Sequence, residues 1–117
     1  MRAAWVRLGS GVLFCEVAET AEEQAWGLQG RGGLDQGHGM YFPVSPPRLM
    51  TVEMKTVSFP LDIVFFWEGI VSGIVRGMVG DRTRWSLDEC SGVLEVRAGW
   101  AGDHGVRVGE PCSSAPP

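Results

Sequence analysis

The 117-residue chain contains no asparagine and only one lysine, Lys55. Without asparagine there is no N-glycosylation acceptor. The absence fits the depletion of thermolabile amides in heat-adapted proteins, and a G+C-rich genome would account equally for the accompanying Arg, Gly and Ala. Neither explanation bears on function. Cysteine is scarce too. Cys15, Cys90 and Cys112 are odd in number, widely spaced and without a C-x-x-C, which is neither a disulfide framework nor a zinc knuckle. Every uncharged stretch falls short of the roughly 18 apolar residues a membrane span needs. The N-terminus has one charge and no apolar h-region of a secretory signal, so the cytoplasm is the expected compartment. Positive charge is outnumbered, ten Lys+Arg against fourteen Asp+Glu, and a net charge of −4 disfavours a nucleic-acid binder.

What is present suits one packed domain. Hydrophobic residues at 44% and charged residues at 21% match globular averages and exclude a disordered chain. This length buries roughly two-thirds of its unfolded surface, enough for a single core. No period of 20 to 50 residues repeats, which disfavours a solenoid or propeller. Residues 1–110 read as one β-rich domain, and 111–117, with three prolines, as a flexible tail.

The pattern is mostly strand. Ala3–Leu8 and Val12–Ala18 flank Gly9-Ser10-Gly11 and read as a hairpin. Cys15 shares parity with Leu13 and Val17 and is expected in the core. Thr20 and Glu23 form a capping box opening a helix of about nine residues. Its apolar stripe is Ala21, Ala25 and Leu28, with Gly30 as terminator. Arg31–Gly39 is a glycine loop, and Met40–Phe42 a short strand broken by Pro43. From Leu49 to Thr56, Met50, Val52 and Met54 alternate with Thr51, Glu53 and Lys55. Ile63–Trp67 is apolar on both faces, a central strand with Trp67 in the core. Glu68-Gly69 turns it into Ile70–Val75. Asp81–Ser91 looks irregular, and Val93–Ala98 and Gly105–Gly109 supply two last strands. Seven or eight short strands with one short helix predict a mainly β fold, a two-sheet sandwich or jelly-roll-like barrel.

Chemistry is sparse. His38 and His104 lack partners at metal-ligand spacing and are better read as solvated; they could meet in space with Asp62 or Glu95, but nothing demands it. No Gly-x-Ser-x-Gly elbow occurs, and Cys90 follows Asp88-Glu89, which raises a thiol pKa. Gly27–Gly33 ends a helix instead of opening one, so it is no phosphate cradle. Nothing implies a cofactor. The most suggestive stretch is Glu53–Asp62, where Asp62 heads the most apolar strand. A carboxylate beside Phe65 and Phe66 must be paired or hydrogen-bonded, either as a local structural staple or as a polar patch at a pocket mouth. Trp26 and Trp85, off the apolar stripes, are candidates for exposed indoles that stack on a ligand or anchor a partner, although half-buried packing is the commoner fate.

In order along the chain stand Glu16–Leu28, Gly30-Arg31, Gly39–Phe42, Phe59–Phe65 and Val93–Gly99. This ordered set resembles the domain-of-unknown-function family numbered 192, over about Val12 to Gly109. The resemblance implies a small, mainly β domain of jelly-roll-like or barrel-like shape with one short helix, and no agreed reaction. The family's recognisable positions fall on Gly27, Leu28, Arg31, Gly39, Met40, Phe42, Pro60, Asp62 and Gly99. Of these, Arg31 and Asp62 are not explained by packing alone. Many relatives have a basic residue at the place of Trp26, a methionine for Gln29, and Trp-Met-Lys-Asn-Thr where this chain reads Glu53-Met-Lys-Thr-Val57. Many are also exported.

These observations point to a non-enzymatic module binding a small ligand or a protein partner, neither nucleic acid nor membrane. Its expected cleft is lined by Arg31, Glu53, Lys55 and Asp62. The alternatives are an enzyme with Asp62 as general base and Lys55 as electrostatic stabiliser, and a protein-interaction domain using exposed tryptophans.

Overall fold

The computed structural model describes residues 1–81, 84–86 and 89–117, with the backbone alone at 84–86. The first hairpin forms where the pattern places it. Strands β1 (Arg2–Leu8) and β2 (Gly11–Val17) pair antiparallel around Gly9-Ser10, with Gly9 at φ +58°. Cys15 is fully buried between them and the rest of the sheet. The helix α1 spans Ala21–Trp26, shorter than expected, because Gly27 takes φ +52° and ends it. Its capping box is complete: the Glu23 amide donates to Thr20 Oγ1, and the Thr20 amide donates to Glu23 Oε1, both at 3.0 Å. The Thr20 and Glu19 amides hold the Glu23 carboxyl below its ordinary range.

Strands β3 (His38–Arg48), β4 (Thr51–Glu53), β5 (Leu61–Trp67), β6 (Ile70–Gly77), β7 (Arg84–Ser86) and β8 (Cys90–Arg97) follow. A second helix, α2 (Trp100–Asp103), precedes a last strand, β9 (Ser113–Ala115). Among the described residues, seven strands make one mixed sheet in the order β6-β5-β8-β3-β2-β1-β9, while β4 and β7 form a separate ribbon. This corrects the two-sheet sandwich or jelly-roll-like barrel. The physical reason is the β2–β3 pair, which is parallel. A parallel pair needs a long crossover, and α1 with the glycine loop supplies it; reading every neighbour as a hairpin misses this.

The sheet does not close, yet its edges are stitched by a short segment. The Cys112 amide donates to the Gly69 carbonyl at 2.7 Å, Val71 to Glu110 at 2.8 Å, and Gly109 to Val71 at 2.8 Å. Gly105–Gly109, expected as a strand, is turn and irregular backbone, and the segment 111–117 carries β9, paired with β1. Residues 84–86, expected to be irregular, are strand, paired with β4. No helix among the described residues is long and apolar enough to cross a membrane.

Strand β5 lies between β6 and β8 and is buried on both faces, as its composition demands. Leu61, Ile63 and Phe65 join an apolar cluster with Leu28, Phe42, Val52 and Met54. Val64 and Phe66 join another, with Leu13, Cys15, Leu94 and Trp100. Trp67 is not core; it pairs with Ile70 at the hairpin end and is 41% exposed. Trp26 is 58% exposed, and the side chain of Trp85 lies outside the described residues. His104 is half-buried, not solvated. Its ring packs on Trp100 at 4.4 Å, and Ser10 meets it through Oγ at 3.3 Å and through its amide, which donates to the His104 carbonyl at 2.9 Å.

This clasp explains Gly9. A Cβ there would run into the His104 carbonyl oxygen, and the positive φ adds its own strain. Gly9→Ala is expected to lower stability by at least about 1 kcal/mol, read as a shifted urea midpoint with an unchanged slope.

Candidate functional site

Asp62 enters the sheet on β5 with its side chain turned to the Val64 and Phe66 side, and it is 3% exposed. Its Oδ1 accepts from Arg76 Nε at 2.6 Å. Its Oδ2 accepts from the backbone amides of Gly99 and Ala101, both at 3.0 Å. Helix α2 has no capping side chain of its own, because Gly99 is its N-cap. Asp62 supplies that cap from a neighbouring strand. Arg76 reaches it through a β-bulge: Phe66 pairs with Val71 but Phe65 with Gly73, so Ser72 is extra and Asp62 falls opposite Arg76.

The four residues expected to share a cleft do not come together. Asp62 is closed over by its three donors, so a general base there has no access to a substrate. Arg31 pairs with Glu16 at 2.5 Å in a separate hollow lined also by Asp35 and His38, and only its backbone carbonyl meets the Glu53–Asp62 stretch, accepting from Ser58 Oγ at 2.9 Å. Lys55 is exposed in the turn after β4. Glu53 borders a different cavity, together with Glu95.

That cavity has a volume of about 310 Å³. It lies between α1, β4, the turn at Thr56-Val57 and the sheet. Helix α1 buries no residue, contrary to the expected Ala21–Ala25–Leu28 stripe, of which only Leu28, beyond the helix, is buried. The helix is instead tethered by Gln24, whose Nε2 donates to the Ala18 carbonyl at 3.0 Å and the Pro43 carbonyl at 2.8 Å. It thus stands off the sheet, and the gap is floored by Leu28, Phe42, Val52, Val57 and Val93.

Glu95 also faces this gap. It sits on β8, two residues from Val93 on the same face, and is 6% exposed. Burial pushes its carboxyl up to about 7, with no neighbouring donor or charge to offset the effect. Pattern reading names it only as a carboxylate that the two histidines could meet in space, not as a buried group at a cavity. The available signal was a lone carboxylate inside Val93-Leu94-Glu95-Val96, a run too apolar to have a solvated face.

Other chemistry is weaker. Burial pushes the Cys15 thiol up to about 12 and Cys112 to about 11, and it raises Cys90 as well, so none is an activated nucleophile. Among the described residues no three His, Cys, Asp or Glu side chains gather as metal ligands.

The ordered motifs now stand on a defined scaffold: Gly27-Leu28 and Phe42 at the cavity, Asp62 and Gly99 at the α2 cap. The family model for DUF192, "Uncharacterized ACR, COG1430", matches residues 5–113. The chain belongs to the DUF192 family. A Novosphingobium aromaticivorans protein of unknown function superposes with a TM-score of 0.84 at 31% identity, covering 95% of this chain and 83% of its own. A Sinorhizobium meliloti protein described as a candidate transcription regulator superposes with a TM-score of 0.87. At 24% identity, covering 97% of this chain and 92% of its own, it shows a shared fold alone. No curated protein matches the sequence.

Two predictions separate the buried carboxyls. Asp62→Ala strips the α2 amides and Arg76 of their acceptor and is expected to cost about 3 kcal/mol in chemical denaturation, with a red shift of tryptophan emission as Trp100 loosens. Glu95 acts with the opposite sign. Its folded pKa lies above the unfolded value, so its stabilising share is complete below pH 4.5 and lost as pH rises through 7. Glu95→Gln should remove that slope and be more stable than the native chain at pH 8, by on the order of 3 kcal/mol. Urea titrations from pH 4 to 8 check both the slope and the gain.

Proposed function

We propose that this DUF192 domain is a non-enzymatic binding module for a small organic molecule, seated in the cavity between α1, β4 and the sheet. Glu95 carries the reading. A carboxyl at this depth without a protein donor is unfavourable unless something from outside supplies one, and this one, whose oxygens are not sealed from the cavity, faces a gap that α1 leaves over the sheet. An apolar floor with a few polar groups is the usual lining of such a site. Exposed Trp26 at the mouth adds a flat surface on which a ligand can rest. Of the residues picked out from the sequence, Glu53 stays in the site, while Arg31, Lys55 and Asp62 fall outside it. A net charge of −4 argues against a polyanion as the partner.

One observation favours a second reading. A carboxyl that exchanges its proton near neutrality is suited to general acid–base work, so an enzyme would use Glu95 and not Asp62. Binding without turnover separates the two.

Melting temperatures against metals, nucleotides, sugars, small acids and small amines test the proposal. A ligand at a hundred times its dissociation constant adds about 2.7 kcal/mol, a rise of several degrees for a domain of this size. The expected result is a rise with one organic class, lost in Thr56→Trp, which fills the cavity mouth from an exposed position. A flat panel overturns the proposal in favour of a protein partner.

A further inference from the structure

The cavity's lining says what kind of molecule it selects. Its described polar groups are the Gln24 amide, the Thr51 and Thr56 hydroxyls, and the carboxyls of Glu53 and Glu95; no Lys, Arg or His is among them. An anion would meet the Glu95 carboxyl, to which no donor among the described residues reaches. An inorganic cation would meet too few oxygens, because the floor is Leu28, Phe42, Val52, Val57 and Val93. A volume of about 310 Å³ has room for roughly ten water-sized groups.

We propose that the cavity receives a small primary ammonium with an apolar body, its N–H groups donating to the Glu95 carboxylate and its body resting on Leu28, Phe42 and Val93. This rests on the small-molecule reading above and names the ligand's class. The charge-assisted bonds satisfy the buried carboxylate that the fold leaves alone. The rings of Phe42 and Trp26 border the same space and suit a cation.

Proton linkage follows. In the empty domain Glu95 is largely protonated below its pKa of about 7. The ammonium takes the carboxylate form, so binding there releases a proton. The described groups facing Glu95 are few. Across the cavity β4 contributes Glu53; α1 contributes Gln24 and Trp26; the following turn contributes Thr56 and Val57; β3 contributes Phe42. Its sheet neighbours in register are Met40 and Ile63. Arg97, two residues along β8, is exposed and does not line the cavity. Affinity should therefore fall about tenfold per pH unit below 7 and level off above 8.

Calorimetric titration with phenethylamine, 2-phenylethanol and 3-phenylpropionate tests this on the whole chain. The amine is expected to bind at least tenfold more tightly than the alcohol at pH 8, with the acid weakest, and to lose affinity between pH 7 and 5.5. Glu95→Gln should cost the amine at least tenfold, leave the alcohol unchanged and abolish the pH dependence. Should that variant fail to fold, Thr56→Trp, which keeps Glu95, must abolish binding of amine and alcohol together. An alcohol or acid that binds as well as the amine overturns the ammonium class and leaves a small-molecule site standing. A pH profile that survives Glu95→Gln overturns the role of Glu95. Failure of all three probes, with a flat melting panel, overturns the site itself.

Discussion

The adjacent central strands β5 and β8 are buried on both faces, so the two carboxyls within them, Asp62 and Glu95, have to be resolved inside the protein. Asp62 is resolved by three donors, and much of the molecule hangs on that arrangement. Its carboxylate joins β5 to β6 through Arg76 and holds the first amides of α2. Helix α2 in turn carries Trp100 into the core and presents His104 to Ser10, which closes the β1–β2 turn. A single carboxylate thereby couples one end of the sheet to the other. Its acceptor sites are matched by one charged donor and two oriented amides, the condition under which a buried charge stabilises instead of destabilising.

Glu95 lies one register step away, opposite Ile63, and on the other face. Nothing comparable reaches it, and the reason lies in how α1 is held. A helix that buries an apolar stripe would settle onto β8 and close over the carboxyl. Here α1 is fixed by its capping box and by the Gln24 amide, polar tethers at its start and along its side. It stands where the crossover from β2 to the parallel β3 places it, and the space beneath stays open. The cavity is thus a consequence of the mixed topology.

Local chemistry was legible in the sequence, and long-range placement was not. The capping box, both two-residue hairpin turns, the buried Cys15 and the doubly covered β5 follow from patterns spanning a few residues, and all are present. The parallel β2–β3 pair, the short α2 and the stitched sheet edges depend on contacts between distant segments. Trp67 was misjudged because an apolar run says a strand is buried without saying where along it burial ends. Asp62 was correctly singled out as a carboxylate that must be satisfied, but an ideal turn at Glu68-Gly69 would set it opposite Val75. Only the bulge at Ser72 brings Arg76 into place, and no residue type announces it. Glu53 was found from strand alternation alone. Glu95 stood out only as a remote carboxylate for the two histidines, since its meaning arises from the combination of a buried strand and a helix held away from it.

The two carboxyls also show how stability and binding divide within one small domain. Satisfying Asp62 internally leaves it closed to a ligand, and its three hydrogen bonds contribute to the fold. Leaving Glu95 unsatisfied has the reverse sign: deprotonation near neutrality works against the fold, and an apolar residue in its place would simply extend the cluster around Val93 and Phe42. A donor arriving from solvent changes that sign, because it supplies from outside what Arg76 and the α2 amides supply to Asp62 from within. Occupation of the cavity and stability of the domain are then two readings of the same proton equilibrium at Glu95.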